Sequence, residues 1–350
     1  MKKKVAIGMS GGVDSSVAAA MLLDKGYDVI GITMLLCDGG ACLSSVCDDA
    51  KKVCEKLGIE HYIVDFRDEF QEKVVDYFVD EYLGGRTPNP CIACNKHLKF
   101  DAMIGKAEEL GADYIATGHY ARILLDENTG RYYLKQSESA EKDQTYVLYN
   151  LKQEQLEKIL MPLGEVENKE ATRKYAETLG LDIAGKPDSM EICFIPDNDY
   201  AGFIERKRNY KAEIGDFVDK EGNVLGKHKG IIHYTVGQRK GLGVAFGKPM
   251  FVTRIDAENN RVVLGEKGQE FSGELLCDNL NFITLEKITE PIKVWAKVRY
   301  SAKPALATLS MADEDTAKVV FDRPQRAVTP GQAVVFYDDK NVVIGGGIIK

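Results

Sequence analysis

No apolar run in this sequence approaches the roughly 20 residues that a helix needs to cross a membrane, so no membrane span is expected. A surplus of cations is missing too. The 46 Lys and Arg residues against 54 Asp and Glu leave a net charge of -8, which excludes a generic nucleic-acid coat. A specific RNA site needs only a local basic face, and Arg206-Lys207-Arg208, Lys227-His228-Lys229 and Arg239-Lys240 are the candidates. No signal-type apolar stretch or small-residue cleavage site follows Met1-Lys2-Lys3-Lys4, so a cytoplasmic location is expected. Repeats and low-complexity tracts are absent. The eight cysteines of a large chain in that compartment read as thiols rather than staples. Cys37, Cys42, Cys47 and Cys54 are spaced too irregularly for a zinc knuckle and read as small buried hydrophobes.

What is present begins with Ile7-Gly8-Met9-Ser10-Gly11-Gly12-Val13-Asp14-Ser15-Ser16, a glycine turn between the apolar Val5-Ala6-Ile7 and residues of helical spacing from Val17 to Leu22. Such a strand, turn and helix present unpaired N–H groups at the positive end of the helix dipole, where an anion binds. Gly11 and Gly12 would let phosphate approach, with the hydroxyls of Ser10, Ser15 and Ser16 as further donors. Neither the lysine of a Walker loop nor the Gly-x-Gly-x-x-Gly of a dinucleotide site occurs here. Asp14 beside phosphates would repel them without a divalent cation, so Mg²⁺ is implied. A plain strand-to-helix turn with a serine cap is the competing reading.

Strands at Val29–Leu36, Glu60–Asp65 and Tyr114–Thr117 alternate with helices at Asp48–Leu57, Phe70–Leu83 and Lys99–Leu110. This predicts an α/β catalytic domain, a Rossmann-like parallel sheet covered by helices, over 1–198. A hairpin over Ile123–Gln136 is expected within that layer, followed by helices at Lys152–Ile159 and Lys169–Leu179. Glycine-broken strands then suggest a small central β-rich domain at 205–271, and regular alternation a C-terminal β-barrel at 275–350.

Between two helices lies Gly85-Arg86-Thr87-Pro88-Asn89-Pro90-Cys91-Ile92-Ala93-Cys94-Asn95-Lys96. The prolines hold this segment extended, which predicts a helix starting near Cys94. A thiol there, with Lys96 close, would have a lowered pKa and be a candidate nucleophile. A zinc half-site completed by Cys193 and His97, a redox Cys-x-x-Cys and idle thiols compete with that reading.

Taken together, Ser10-Gly11-Gly12-Val13-Asp14-Ser15, Gly85 to Pro90 with Cys94-Asn95-Lys96, Ala116-Thr117-Gly118-His119-Tyr120, Lys142-Asp143-Gln144, Ile192-Cys193-Phe194-Ile195 and His233-Tyr234-Thr235 with Gly237 to Gly243 occur in one order. The first resembles the loop of the ATP pyrophosphatase (PP-loop) superfamily, and the whole series resembles the tRNA-specific 2-thiouridylase family. The resemblance implies adenylation by ATP of O2 of the wobble uridine in tRNAs for Lys, Glu and Gln, followed by replacement of that oxygen with sulfur. It implies Cys94 as nucleophile and Cys193 as persulfide carrier, with a Cys94–Cys193 disulfide that a reductant resets. Gly8, Met9, Ser10, Gly11, Gly12, Val13, Asp14, Ser15, Met34 and Gly118 would hold ATP, and Met34 would seat adenine.

Asn89, Pro90, Cys91, His119, Lys142, Asp143, Gln144, Arg299, Tyr300 and Gln332 would meet the anticodon arm of tRNA; without the resemblance, Lys142-Asp143-Gln144 reads as a solvated turn. A cysteine desulfurase, acting directly or through a relay protein, is the implied sulfur donor. Many members carry aspartate as acid/base where this chain has Cys91, so that role is open here. Cys91, Cys94 and Cys193 also allow a second route, a [4Fe–4S] cluster delivering sulfide. Two other classes remain: a PP-loop amidotransferase or ligase, which has no use for Cys94 and Cys193, and a zinc-stabilised RNA-binding protein.

Overall fold

The computed structural model describes residues 2–37, 41–181 and 192–350, and only the backbone of 41–45. Strand β1 (Lys4–Gly8) buries Val5, Ala6 and Ile7 completely, as a strand covered on both faces requires. It pairs in parallel with β2 (Asp28–Leu35) on one side and β4 (Tyr114–Ala116) on the other. With β3 (Glu60–Asp65) and β7 (Ile159–Leu160) the order is β3-β2-β1-β4-β7. The chain moves outward from β1 to β3, then crosses to β4. That reversal opens a crevice at the carboxyl ends of β1 and β4, where ligands of such sheets bind.

Helix α1 (Val13–Asp24) follows β1 directly and buries Val17, Ala18 and Ala19 completely, while α2 (Ala41–Leu57) lies beyond β2. Gly58 closes α2 with φ +68. Next come α3 (Arg67–Phe70), a π-helical stretch (Gln71–Asp76) and α4 (Tyr77–Leu83) as one rod.

The second rod starts earlier than expected: α5 (Pro90–Cys94) runs through a π-helical stretch (Asn95–Ala102) into α6 (Met103–Glu109). Asn89 is extended, as the following proline demands, and its Oδ1 accepts the Cys91 N–H at 3.1 Å. Pro90 takes the first helical position, where its missing N–H has no partner to lose.

Strands β5 (Ala121–Asp126) and β6 (Arg131–Gln136) form a separate two-stranded sheet rather than joining the parallel layer. The helix expected over Lys152–Ile159 shrinks to α7 (Gln153–Leu156), because Ile159 is drawn into the sheet beside Ile115. Helix α8 (Lys169–Thr178) is capped by Asn168, whose Oδ1 accepts the Ala171 N–H.

Helix α9 (Tyr200–Arg208) leads to a sheet of β8 (Gly215–Val218), β9 (Val224–His228), β10 (Met250–Asp256) and β11 (Arg261–Glu266), ordered β10-β11-β8-β9. Its core reaches across to Phe78, Val79 and Tyr82 of α4. A closed barrel follows, from β12 (Phe271–Phe282), β13 (Ile292–Lys297), β14 (Ala305–Met311), β15 (Ala317–Arg326), β16 (Ala333–Tyr337) and β17 (Val343–Ile349). No helix among the described residues is long and apolar enough to cross a membrane.

Two of the expected basic faces are largely spent on acidic neighbours. Arg208 pairs with Asp76 at 3.1 Å and Asp80 at 2.6 Å, and Lys227 with Asp216 at 2.6 Å, while His228 is buried. These cations hold elements of the fold together.

Candidate active site

The phosphate loop is built from its own neighbours. Gly11 has φ +66, and a Cβ there would stand 2.9 Å from Cβ of Asp49, so its glycine serves a left-handed turn packed on α2. Gly12, in extended conformation, precedes α1 and leaves the N-terminus of that helix open. The serine hydroxyls mostly brace the turn instead of facing a ligand. Ser15 and Ser16 donate to the Gly12 carbonyl at 3.2 and 2.9 Å, Ser15 Oγ accepts the Ser10 N–H at 3.2 Å, and Ser16 is fully buried. Met9 and Val13 point into the core, so only their backbones line the loop. From the far side Gly118 closes in: a Cβ there would lie 2.8 Å from the backbone of Asp14 and of Ser15.

Asp14 is not bare. Lys169 Nζ donates to its two oxygens at 2.8 and 2.7 Å, and the Tyr120 hydroxyl donates at 2.8 Å. Tyr120 is itself fixed: its N–H donates to Gln144 Oε1 at 2.9 Å, and the Gln144 N–H donates back to its carbonyl. Neither Lys169 nor Tyr120 is part of the loop motif; only the fold brings them there. Among the described residues no group of three or more His, Cys, Asp or Glu side chains is arranged to hold a metal ion. A single carboxylate is nevertheless what Mg²⁺ shared with substrate phosphates takes from a protein, and Asp14 supplies one.

The thiols gather one layer away. Cys94, 9% exposed, sits in a cluster with Phe66, Phe70, Val74, Ala93 and Leu98, against which Met34 and Phe194 pack. So the end of β2, the second turn of α5 and the residue after Cys193 share one cluster. Phe194 stands edge-on to Phe70 at 5.6 Å and to Phe78 at 5.5 Å, which anchors the Cys193 segment on the first helical rod.

The expected lowering of the Cys94 pKa is not found. Because the helix begins at Pro90, Cys94 lies beyond its first turn, and burial pushes its thiol up while Lys99, not Lys96, draws it back. Crowding likewise pushes exposed Cys91 up, and Cys193 up to about 12, the latter helped by the nearby Cys94 and Cys91 thiols. Lys96 and His97 line a cleft of about 750 Å³ together with Asn89, Ala93, Tyr149 and Gly331.

The barrel reaches the same region. Tyr300 OH donates to the Asp143 carbonyl at 3.4 Å, and Lys297 Nζ lies over the rings of Tyr146 and Tyr300 at 5.6 and 5.4 Å. Nε of Arg299 is buried without a hydrogen-bond partner. At the other end of the proline segment, Gln332 Nε2 donates to the Thr87 carbonyl at 2.7 Å, and the Thr87 N–H donates to Pro330. Gly85 presses on Ile255 and Ala257 of the central sheet. The segment that carries both thiols of the second rod is therefore clamped by all three parts of the molecule.

Known families divide the chain the same way. The family described as the tRNA methyl transferase HUP domain matches residues 3–197, the tRNA methyl transferase PRC-barrel domain matches 202–266, and the aminomethyltransferase beta-barrel domain matches 272–349. The tRNA-specific 2-thiouridylase MnmA of Acetivibrio thermocellus is 58% identical over 100% of this chain and 99% of its own length. Those of Clostridioides difficile and Clostridium acetobutylicum are each 56% identical, again over 100% of this chain, and over 99% and 100% of their own lengths. The chain belongs to the tRNA-specific 2-thiouridylase family.

Several of the residues expected at a 2-thiouridylase site prove to have structural partners. Asp143 is no solvated turn residue: it is buried, accepting from the Ser137 N–H and the Thr145 hydroxyl, and burial pushes its carboxyl up. His119 is buried beside Thr117, its Nδ1 2.8 Å from Oγ1, and burial holds its pKa well below the usual value. Asn89 caps α5, Pro90 is buried in its first turn, and Gln332 is a staple to Thr87. Tyr300 does reach the Lys142-Asp143-Gln144 segment, where its hydroxyl donates to the Asp143 carbonyl. Lys169 lies outside every motif, its only sequence signal being an Asn cap ahead of a helix that opens with lysine, and Tyr120 stands in a motif that assigns it no role.

Proposed function

We propose that this chain is an ATP-dependent tRNA sulfurtransferase that converts the wobble uridine of tRNAs for Lys, Glu and Gln to 2-thiouridine. The observation that supports the reading is the shared cluster of Met34, Cys94 and Phe194, in which the end of the second strand and both thiol segments pack together. A pyrimidine carbonyl oxygen is a poor leaving group and AMP a good one, so the chemistry needs a phosphate loop and a sulfur nucleophile side by side. Gly8 to Ser15, Met34 and Gly118 would hold ATP, with Asp14 holding Mg²⁺, which would neutralise phosphate charge.

The terminal sulfur of a Cys193 persulfide would attack C2 as AMP departs. Cys94 thiolate would then attack Cys193 Sγ, releasing the thiocarbonyl and leaving a Cys94–Cys193 disulfide. Burial pushes the Cys94 thiol up, so Cys94 must give up its proton before it attacks Cys193 Sγ.

Catalytic, central and barrel domains at 1–198, 205–271 and 275–350 belong to the same reading, as do a cytoplasmic location and sulfur supply by a cysteine desulfurase or relay protein. Lys142, Arg299 and Tyr300 are the best-placed tRNA contacts, supported by the hydrogen bond of the Tyr300 hydroxyl to the Asp143 carbonyl beside Lys142. The cluster route fits less well, because Cys91, Cys94 and Cys193 do not form a metal-binding group among the described residues, and no step is derived through one.

The test is purified protein with ATP, a persulfide donor and unmodified tRNA, read by nucleoside mass analysis. Wobble 2-thiouridine and equimolar AMP are expected. AMP formation with an amine acceptor, and no 2-thiouridine, would overturn the reading in favour of a ligase.

A further inference from the structure

The transfer steps above use two thiols, and the structure supplies a third beside them. Cys91 and Cys94 lie at i and i+3 of one continuous helical rod, on one face. Helical geometry sets their Cα atoms about 5 Å apart, inside the span of a disulfide. Their exposure differs. Cys91 is exposed at the second helical position, whereas Cys94 is buried under Phe66, Phe70 and Leu98. An exposed thiol one turn ahead of a buried one, at a helix start fixed by an Asn cap and a proline, is the arrangement of a dithiol redox pair. Cys193 is brought to the pair by Phe194, the next residue, which packs on the cluster that holds Cys94.

A disulfide between Cys94 and Cys193 leaves one of its sulfurs in that apolar cluster, where an external reductant has poor access. We propose that Cys91 is the resolving thiol, which attacks Cys94 Sγ, forms a Cys91–Cys94 disulfide and sets Cys193 free. The inference rests on the thiolation reading for the disulfide it resolves.

In this exchange the S–S bond between Cys94 and Cys193 breaks as the new one forms. Cys193 leaves as thiolate and takes up the proton that Cys91 gave up, so no oxidant or reductant is consumed. An external dithiol then attacks the exposed Cys91 sulfur and delivers two electrons and two protons, which restores both thiols. Cys193, exposed at the surface, becomes available for the next sulfur before the helix pair has been reduced.

The test needs neither tRNA nor ATP. The full chain is equilibrated in mixtures of reduced and oxidised dithiothreitol, acid-quenched, labelled with N-ethylmaleimide and mapped by peptide mass analysis. Cys91 and Cys94 fall on one tryptic peptide, between Arg86 and Lys96, and Cys193 on another. The expected first product is an internal link in the Cys91–Cys94 peptide, at least about fivefold more abundant than any link to Cys193, which carries the label. In Cys91→Ser the link moves to Cys94–Cys193. A wild-type protein in which Cys94–Cys193 dominates and Cys91 is labelled overturns the proposal. The tRNA assay tests the thiolation reading separately, so the two failures are distinguishable.

Discussion

The phosphate loop and the thiol centre are neighbours made in opposite ways. The loop is one stretch of ten residues whose hydroxyls, carbonyls and glycines satisfy one another, with Gly118 and Lys169 added from outside. The thiol centre has no such local frame. Cys94 hangs on a helix whose start is clamped by the barrel through Thr87 and by the central sheet through Gly85, and Cys193 is held by the ring that follows it. An anion site can be specified by a short motif, because backbone N–H groups at a helix end do the binding. A two-thiol site must be specified by the packing of distant segments.

If that contrast is right, the two regions can be disabled separately, and the largest expected effect is chemical. Cys193→Ser should lower 2-thiouridine formation at least about 10³-fold while ATP-dependent AMP release persists, both measured on one tRNA preparation. An equal fall in AMP release would mean that the regions act as one unit.

The loop is sharpened by removing its outside support. Lys169→Met leaves the Asp14 carboxylate with only the Tyr120 hydroxyl. Loss of a charge-assisted, partly exposed pair should cost about 1–2 kcal/mol in denaturant unfolding and weaken ATP binding about tenfold. Thiol labelling of Cys193 should be unchanged.

The pH dependence of labelling probes the other region. Desolvation by the atoms packed around it, with the Cys94 and Cys91 thiols second, raises the Cys193 pKa above its ordinary 9.0, to about 12, although part of the residue is exposed, so the neutral thiol persists as the pH climbs. Iodoacetamide should therefore modify Cys193 at pH 8 at least about tenfold more slowly than a cysteine peptide, and the rate should keep rising through pH 10 instead of levelling. The same sign applies to stability: a raised thiol pKa stabilises the fold below pH 9, and that contribution is lost as the pH rises further.

The smallest effect belongs to the clamp. Gln332→Ala removes one hydrogen bond to the Thr87 carbonyl and should cost about 1 kcal/mol, read as a lower denaturation midpoint with unchanged ATP binding.

Much of this was legible in the residues themselves. The turn at Gly11, the parallel alternation from β1 to β4 and the ends of helices at Gly58 and Gly111 follow from local backbone preferences, which any strand-turn-helix sequence displays. The prolines predict a helix from near Cys94, but α5 begins at Pro90, because proline also suits a first helical turn. Asp143 looked like part of a solvated turn because nothing in Lys142-Asp143-Gln144 signals that the Ser137 N–H and the Thr145 hydroxyl close over its carboxylate.

By itself the sequence determined the glycine turn between the first strand and helix, the order of three structural units and the family, because each depends on residues close together in the chain. Tertiary structure alone decided that Lys169 neutralises Asp14 from 155 residues away, that Gln332 and Gly85 clamp the proline segment, and that Cys91 lies exposed above buried Cys94. Burial and long-range pairing are properties of the packed chain, and they set both the ionisation of the thiols and the access to them.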